Sequence, residues 1–418
     1  MARKALILVE GTRSNGPLYV EAAQRLGLHP ITLSADPAQY DYLAAEGTEA
    51  IRVDTDNLDA LIRECSKLRA TYDIAGITST EDAHAFYTTA SKLCRHFDLR
   101  GPNPASIERC CDKFTQRQLL AEAGVPMPAF RLAANATEVE TAAAEIGLPV
   151  ILKPAVGSGS SGVRLCRNAD ELAEHTNYLL GKHIGRSSPR ILVEEFAEGL
   201  HYSVQTMGNE VIGIGTVDWS RPPHFVCREL TYPALLTDDE HKRIFDISLS
   251  SLRALGLGWG PTNIEFRWTP RGPVVIEINP RLAGTTTPQL VKLAYGIDLV
   301  AEHIKLVIGD ECSLRKTHSY SAVARHLVAD RDGTLDWING DNQAVAVPGV
   351  VEVKFNVPPK TLIVRRGDHR DTLGHVIATS PSLAETEAII HRAISLIGWS
   401  ITPFPKIPKF SASYLWSD

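Results

Sequence analysis

Val274-Val275-Ile276-Glu277-Ile278-Asn279-Pro280-Arg281 follows Asn263-Ile264-Glu265-Phe266-Arg267-Trp268 after a break at Thr269-Pro270-Arg271-Gly272-Pro273. Two apolar runs separated by Pro and Gly predict a β-hairpin, with Pro270-Arg271-Gly272 as a three-residue loop. That register pairs Thr269 with Pro273. It sets Glu265 directly opposite Glu277, and Asn279 follows two residues later on the same face. Like charges opposed across a ladder destabilise it unless a cation lies between them. Two carboxylates and an amide oxygen form a hard, oxygen-only donor set that suits Mg²⁺, which binds through a few carboxylates plus substrate phosphates. Arg281 adds a planar fork for a phosphate or carboxylate. The residues therefore imply a magnesium–nucleotide site. A solvated acid pair is the other reading; it would have Ile264, Phe266, Ile276 and Ile278 burying the far face alone.

A second signal lies upstream, in Lys153-Pro154-Ala155-Val156-Gly157-Ser158-Gly159-Ser160-Ser161-Gly162. Gly157, Gly159 and Gly162 satisfy the dinucleotide spacing, but that motif must open a helix, and Val163-Arg164-Leu165-Cys166 reads as a strand. No Gly-Lys-Ser/Thr follows, so a Walker loop is excluded as well. What remains is a hairpin loop of backbone N–H groups and small hydroxyls, able to fold over phosphates as a lid, with Lys153 at its base.

The flanking chain reads as α/β. Ala5–Val9, Pro30–Leu33 and Ile74–Thr78 are predicted strands, and 18–26 a helix, so the N-terminal part forms a parallel sheet. A helix is predicted from Lys113 to Ala123, ended by Gly124 and Pro126. Further elements are strands on either side of the Gly-Ser loop, a helix at 170–182 and a strand from Arg190 to Phe196. Residues 319–366 read as strand-rich, with Val345, Val347, Val350, Val351, Val353 and Phe355 prominent. A last helix opens at Ser382 with Glu385 in capping-box spacing, and the tail from Pro403 reads as a loose strap.

The 418 residues carry a net charge of −6 and are 44% hydrophobic, an ordinary globular composition with no basic field for nucleic acid or anionic lipid. No apolar run is long enough to span a bilayer, and Met1–Val9 reads as a first strand rather than a signal peptide. Seven cysteines without a Cys-x-x-Cys pair imply reduced thiols and a cytoplasmic protein.

Taken in order, these motifs resemble the ATP-grasp superfamily of carboxylate–amine ligases. The resemblance runs through Gly101-Pro102-Asn103, Asp112-Lys113-Phe114, Gly124-Val125-Pro126-Met127-Pro128, the Lys153 loop, Val193-Glu194-Glu195-Phe196-Ala197-Glu198-Gly199 and the acid hairpin. It implies an ATP-grasp fold: a Rossmann-like parallel-sheet domain (1–105), a small lid domain (106–188), a large domain with the metal site (189–318) and a strand-rich C-terminal subdomain with a closing helix (319–418). It also implies roles. Lys113 and Lys153 would hold the ATP phosphates under the loop of Gly157, Ser158, Gly159, Ser160, Ser161 and Gly162. Glu194 would be the hinge acid near the adenine amino group, and the backbone of Glu195 and Ala197 would read the adenine edge. Glu265, Glu277 and Asn279 would bind two Mg²⁺ ions, with Mn²⁺ able to substitute. Arg281 would stabilise the transferred phosphate. The usual ribose-binding Glu is replaced by His201.

Within the superfamily the chain resembles L-amino-acid ligases and related dipeptide-forming enzymes. Pro222-Pro223-His224-Phe225-Val226 leads into Arg228-Glu229-Leu230-Thr231-Tyr232-Pro233-Ala234. Arg281-Leu282-Ala283-Gly284-Thr285-Thr286-Thr287-Pro288 follows the metal strand. Arg228, Thr285 and Thr286 become candidate substrate contacts, although Arg228 reads equally as a surface residue. The implied activity is ADP-forming ligation of a carboxylate, such as an amino acid, to an amine through an acyl phosphate. Small-molecule substrates and a homodimer are expected, with no nucleic-acid or membrane partner. Two rivals share the motifs: a bicarbonate-activating carboxylase of the biotin or purine type, which His201 favours, and a nucleotide-binding regulatory module.

Overall fold

A computed structural model describes residues 2–45, 47–81, 83–181, 190–284 and 286–405. Four sheets organise the described residues. The first is parallel and orders Glu49–Arg52, His29–Ser34, Arg3–Val9 and Tyr72–Ser79 side by side. Its central strand has no polar face. Ala5, Ile7 and Val9 join one core with Leu61 and Leu93, whereas Leu6 and Leu8 join another with Leu290, Val291, Ile304 and Val307. Burial on both sides explains the unbroken apolar run of this strand. It also fastens the N-terminal sheet to helices that follow the acid hairpin.

The second sheet is antiparallel, in the order Phe130–Ala133, Ile191–Glu195, Val150–Pro154, Arg164–Cys166. The Gly-Ser loop joins its last two members. The third has eight antiparallel strands, from Gly272–Asn279 at one edge through Pro261–Thr269, Leu200–Met207, Glu210–Trp219 and Cys227–Tyr232. Ser321–Val328, Thr372–Ser380 and Val350–Phe355 then extend the same sheet to its other edge. The C-terminal hundred residues thus contribute both to this sheet and to a small one of Leu362–Ile363, Gly333–Asn339 and Gly398–Thr402. Among the described residues no helix is long and apolar enough to cross a membrane, and all seven cysteines are free thiols.

The hairpin differs from its expected turn. Thr269 pairs with Gly272, so the loop is two residues, Pro270 and Arg271. A bulge between Glu265 and Phe266 leaves Ile276 unpaired and shifts the register by one, which restores Glu265 opposite Glu277. The bulge also turns Ile276 toward the cavity that Glu277 lines, whereas Ile264, Phe266 and Ile278 are fully buried. Val345 and Val347, read with strands, lie at the end of and just beyond the short helix Asp341–Val345. The helix Leu383–Ile394 is capped as expected, Ser382 accepting from the Glu385 N–H. The tail lies largely outside the described residues.

A reciprocal capping box opens Asp238–Leu255: Thr237 accepts from Glu240 N–H, and Glu240 accepts from Thr237 N–H at 2.8 Å. Thr237→Ala is expected to lower stability by about 1 kcal/mol, read as a drop in the urea midpoint with an unchanged slope.

Candidate active site

One cavity of about 370 Å³ collects most of the residues singled out from the sequence, a size in the range of small-molecule sites. Lys113, Lys153, Gly157 to Ser161, Glu194, Glu195, Ala197, His201, Glu265, Glu277, Asn279 and Arg281 all line it. They arrive from one helix and two sheets: the helix Lys113–Glu122, the small antiparallel sheet with its loop, and the eight-stranded sheet.

The helix Lys113–Glu122 sets the geometry. Asp112 caps it by accepting from Thr115 N–H at 2.9 Å. Gln116 then bonds both backbone groups of Ile278, donating to its C=O at 2.8 Å and accepting from its N–H at 2.9 Å. Arg117 donates to Ile276 C=O, and Pro126 C=O accepts from Val275 N–H. The outer edge of Gly272–Asn279 is thereby satisfied by this helix and its exit. Lys113 consequently stands 3.0 Å from Glu277 and donates to Gly157 C=O at 2.6 Å.

Glu194 is buried with one oxygen 2.6 Å from Arg117 Nε and the other 2.5 Å from Lys153 Nζ. Both oxygens are engaged within the wall, so Glu194 braces Lys153. Burial alone would raise its pKa, but the Arg117 and Lys153 charges outweigh burial and hold it below the usual range. Glu277 behaves alike: burial would raise it, yet Lys113 and Lys153 hold it down at about 2. Glu195 accepts from Ala129 N–H through its side chain and donates its own N–H to Ala129 C=O; its backbone could therefore meet a base only through its carbonyl.

Asn279 is held by a residue the sequence reading overlooked. His84 Nε2 lies 2.9 Å from Asn279 Oδ1 and Nδ1 lies 3.1 Å from Cys110 C=O. Burial and then the Arg281 charge pull His84 down to about 4. A neutral ring carries one N–H. That N–H donates either to Asn279 Oδ1 or to Cys110 C=O, and the tautomer decides which.

His201 is buried, 3.4 Å from Glu265, and neither ring nitrogen has a hydrogen-bond partner. Burial keeps it below the usual histidine pKa. Trp219 Nε1, edge-on to His201, is another buried donor without a partner. Unpaired polar atoms facing a cavity suit a ligand that brings its own hydroxyls or phosphates. Two carboxylates and an amide, without a third His, Cys, Asp or Glu placed to complete a metal cage among the described residues, suit an ion whose remaining ligands are phosphate oxygens. The residues present fit MgATP.

Some expectations fall elsewhere. Arg228 is exposed and does not line the cavity, although Cys227 and Leu230 do. Thr285 lies outside the described residues. Thr286 is buried without a hydrogen-bond partner for its hydroxyl, and Thr287 is the threonine that reaches the cavity. Besides His84, the reading missed the bracing roles of Gln116 and Arg117 and the contribution of His369. A helix carrying Lys113, Gln116 and Arg117 at buried spacing was the available signal for the first two; nothing local marked His84 or His369.

Residues 112–315 match the carbamoyl-phosphate synthase L chain ATP-binding domain family, and 325–402 match L-amino acid ligase C-terminal domain 2. The chain is 62% identical over 403 residues to the uncharacterized protein y4rH of Sinorhizobium fredii, covering 96% of this chain and 84% of that one. It is 27% identical over 336 residues to human carnosine synthase 1, covering 74% of this chain but only 40% of that larger protein. The structure of an L-amino acid ligase from Bacillus licheniformis superimposes with a TM-score of 0.78 at 18% identity, covering 96% of this chain and all (100%) of that one.

The depressed Glu277 has a signed consequence. A carboxyl held at about 2, against an ordinary 4.5, adds stability that is fully present above pH 4.5 and is lost as pH falls through 2. Glu277→Gln is expected to be less stable than the parent at pH 7, with the gap closing on acidification from about pH 5 toward 2. Urea unfolding across that range checks it, and a gap independent of pH would contradict it.

Proposed function

The chain belongs to the ATP-grasp superfamily of ligases, and on that premise we propose that it joins an amino acid's carboxylate to an amine through an acyl phosphate, releasing ADP and phosphate. The observation that carries this reading is the convergence of Glu265, Glu277 and Asn279 with Lys113, Lys153 and Arg281 around one cavity. The match of 325–402 to an L-amino acid ligase domain supports the amino-acid substrate, as does the likeness to carnosine synthase.

A carboxylate resists attack by an amine because oxide is a poor leaving group. MgATP, when bound, supplies the phosphoryl group that converts this oxygen into a good one. The chain's own residues do the rest. Glu265, Glu277 and Asn279 would hold magnesium. Lys153, kept in place by Glu194, and Lys113, kept in place by Glu277, put positive charge where phosphate oxygens gather. Arg281 is 8% exposed and anchored by donating to Leu282 C=O, so its guanidinium is oriented before substrate arrives. The Gly-Ser loop covers the cavity and excludes water that would hydrolyse the activated acyl group. His201 faces the ribose hydroxyls as donor or acceptor.

The test is phosphate release from MgATP with amino acids, singly and in pairs, followed by mass spectrometry of active mixtures. ADP, phosphate and a condensed mass are expected. Turnover that needs bicarbonate and no amino acid would replace the ligase with a carboxylase, and AMP with pyrophosphate would contradict the acyl phosphate. Glu277→Gln should remain folded and lose more than about a hundredfold in turnover.

A further inference from the structure

We propose that the turn His369–Asp371 latches the Gly-Ser loop closed, and that His369 and Arg370 are positioning residues for this nucleotide lid. The inference rests on reading the loop as a lid over bound nucleotide.

The loop has little order of its own. Gly157, Gly159, Ser160 and Gly162 all have positive φ, and its internal backbone bonds are Ser161 N–H to Ser158 C=O at 3.2 Å and Val163 N–H to Ser160 C=O at 3.1 Å. Three side chains hold its carbonyls from outside. Lys113 donates to Gly157 C=O at 2.6 Å and His175 meets Gly162 C=O at 2.8 Å. These two fix the ends of the loop, Lys113 from the helix tied to the acid hairpin and His175 from the helix Ala169–Gly181. The tip is held from the far side. His369 Nδ1 contacts Gly159 C=O at 3.1 Å across 210 residues of sequence, its backbone N–H reaches the same oxygen at 3.5 Å, and Arg370 Nη2 reaches Ser161 Oγ at 3.5 Å.

The two halves of this contact differ in stiffness. The turn is built rigidly on two buried carboxylates. Asp368 accepts from Arg370 N–H at 3.0 Å and from its Nε at 2.9 Å, while Asp371 accepts from Arg366 and Gly367 N–H at 2.8 and 2.9 Å. The lid tip, by contrast, is shaped to receive it. A Cβ on Gly159 would run into the His369 ring, at a φ of +63° that side chains rarely adopt. His369 itself lines the nucleotide cavity, yet its side chain is 59% exposed, so nothing in the core depends on it. A rigid turn meeting a compliant loop through long, few hydrogen bonds can bias the loop shut without locking it, which is what repeated nucleotide exchange requires.

The experiment uses the full chain, Mg²⁺ and a methylanthraniloyl derivative of ATP, with dissociation followed by stopped-flow fluorescence on chasing with ATP. His369→Ala is expected to raise the dissociation rate about fivefold, whereas His369→Asn, whose amide N–H stands where Nδ1 stood, should stay within about twofold of the parent. Rescue by Asn separates positioning from a general structural role. If both variants release nucleotide at the parental rate, or if Asn fails as fully as Ala, the latch is wrong while the nucleotide site stands. A parent chain that binds no magnesium nucleotide would overturn the reading of the site and the latch with it.

Discussion

The whole arrangement depends on how the edge strand Gly272–Asn279 satisfies its outer backbone groups. An edge strand presents a row of unpaired N–H and C=O groups, and burying them unpaired costs more than any single contact returns. Here Gln116 takes both groups of Ile278, Arg117 takes the Ile276 carbonyl and Pro126 takes the Val275 N–H. The helix Lys113–Glu122 is therefore tied to the strand at defined register. Since Glu277 lies between Ile276 and Ile278, that register alone brings Lys113 to it. A slip of one residue would turn Glu277 to the other face and take Lys113 away from it.

The same helix organises the buried charges. Arg117 is 1% exposed, and Glu194 and Lys153 are scarcely more so. Taking three ionised groups from water is expensive, and their mutual attraction does little better than offset that cost. Their value lies in direction. Arg117 spans from the strand carrying Glu277 to Glu194, and Glu194 holds Lys153 at the mouth of the Gly-Ser loop. A lysine on a free four-carbon stem would sample many positions; one gripped by a buried carboxylate meets a phosphate without first being ordered.

Much of this was legible because acids and amides that face each other leave a pattern. Glu265 and Glu277 betrayed the site by violating the preference against like charges across a ladder, and their opposition survived an incorrect turn because the bulge at Ile276 compensated a loop one residue shorter. Bulges leave no mark in a Pro-Arg-Gly turn, so that detail was not readable. Gly159 was visible as a glycine but not as the seat of His369, since a contact spanning 210 residues has no local signature. His84 was invisible for the same reason: on its helix it resembles any partly buried histidine, and only folding brings it to Asn279. Arg228 illustrates the converse case: it is the unpaired residue of a bulge between the pairs Asp218–Glu229 and Trp219–Cys227, and Cys227 and Leu230 line the cavity instead.

Charge balance supports the proposal that metal and nucleotide bind together in this cavity. Among the described residues that line it are the carboxylates of Glu81, Glu194, Glu195, Glu265 and Glu277, against the cations Lys113, Lys153, Arg267 and Arg281. The wall is thus close to neutral before anything binds, and Glu194 and Glu195 already spend their charge on Lys153, Arg117 and Arg271. A triphosphate carrying about four negative charges would face Glu265 and Glu277 directly, a repulsion that the lysines, themselves paired, do not cancel. Magnesium held by those two acids would reverse the sign of that encounter. The opposed glutamates that would be a defect in an ordinary hairpin thus support the proposed site, whose remaining charge would arrive with the ligand.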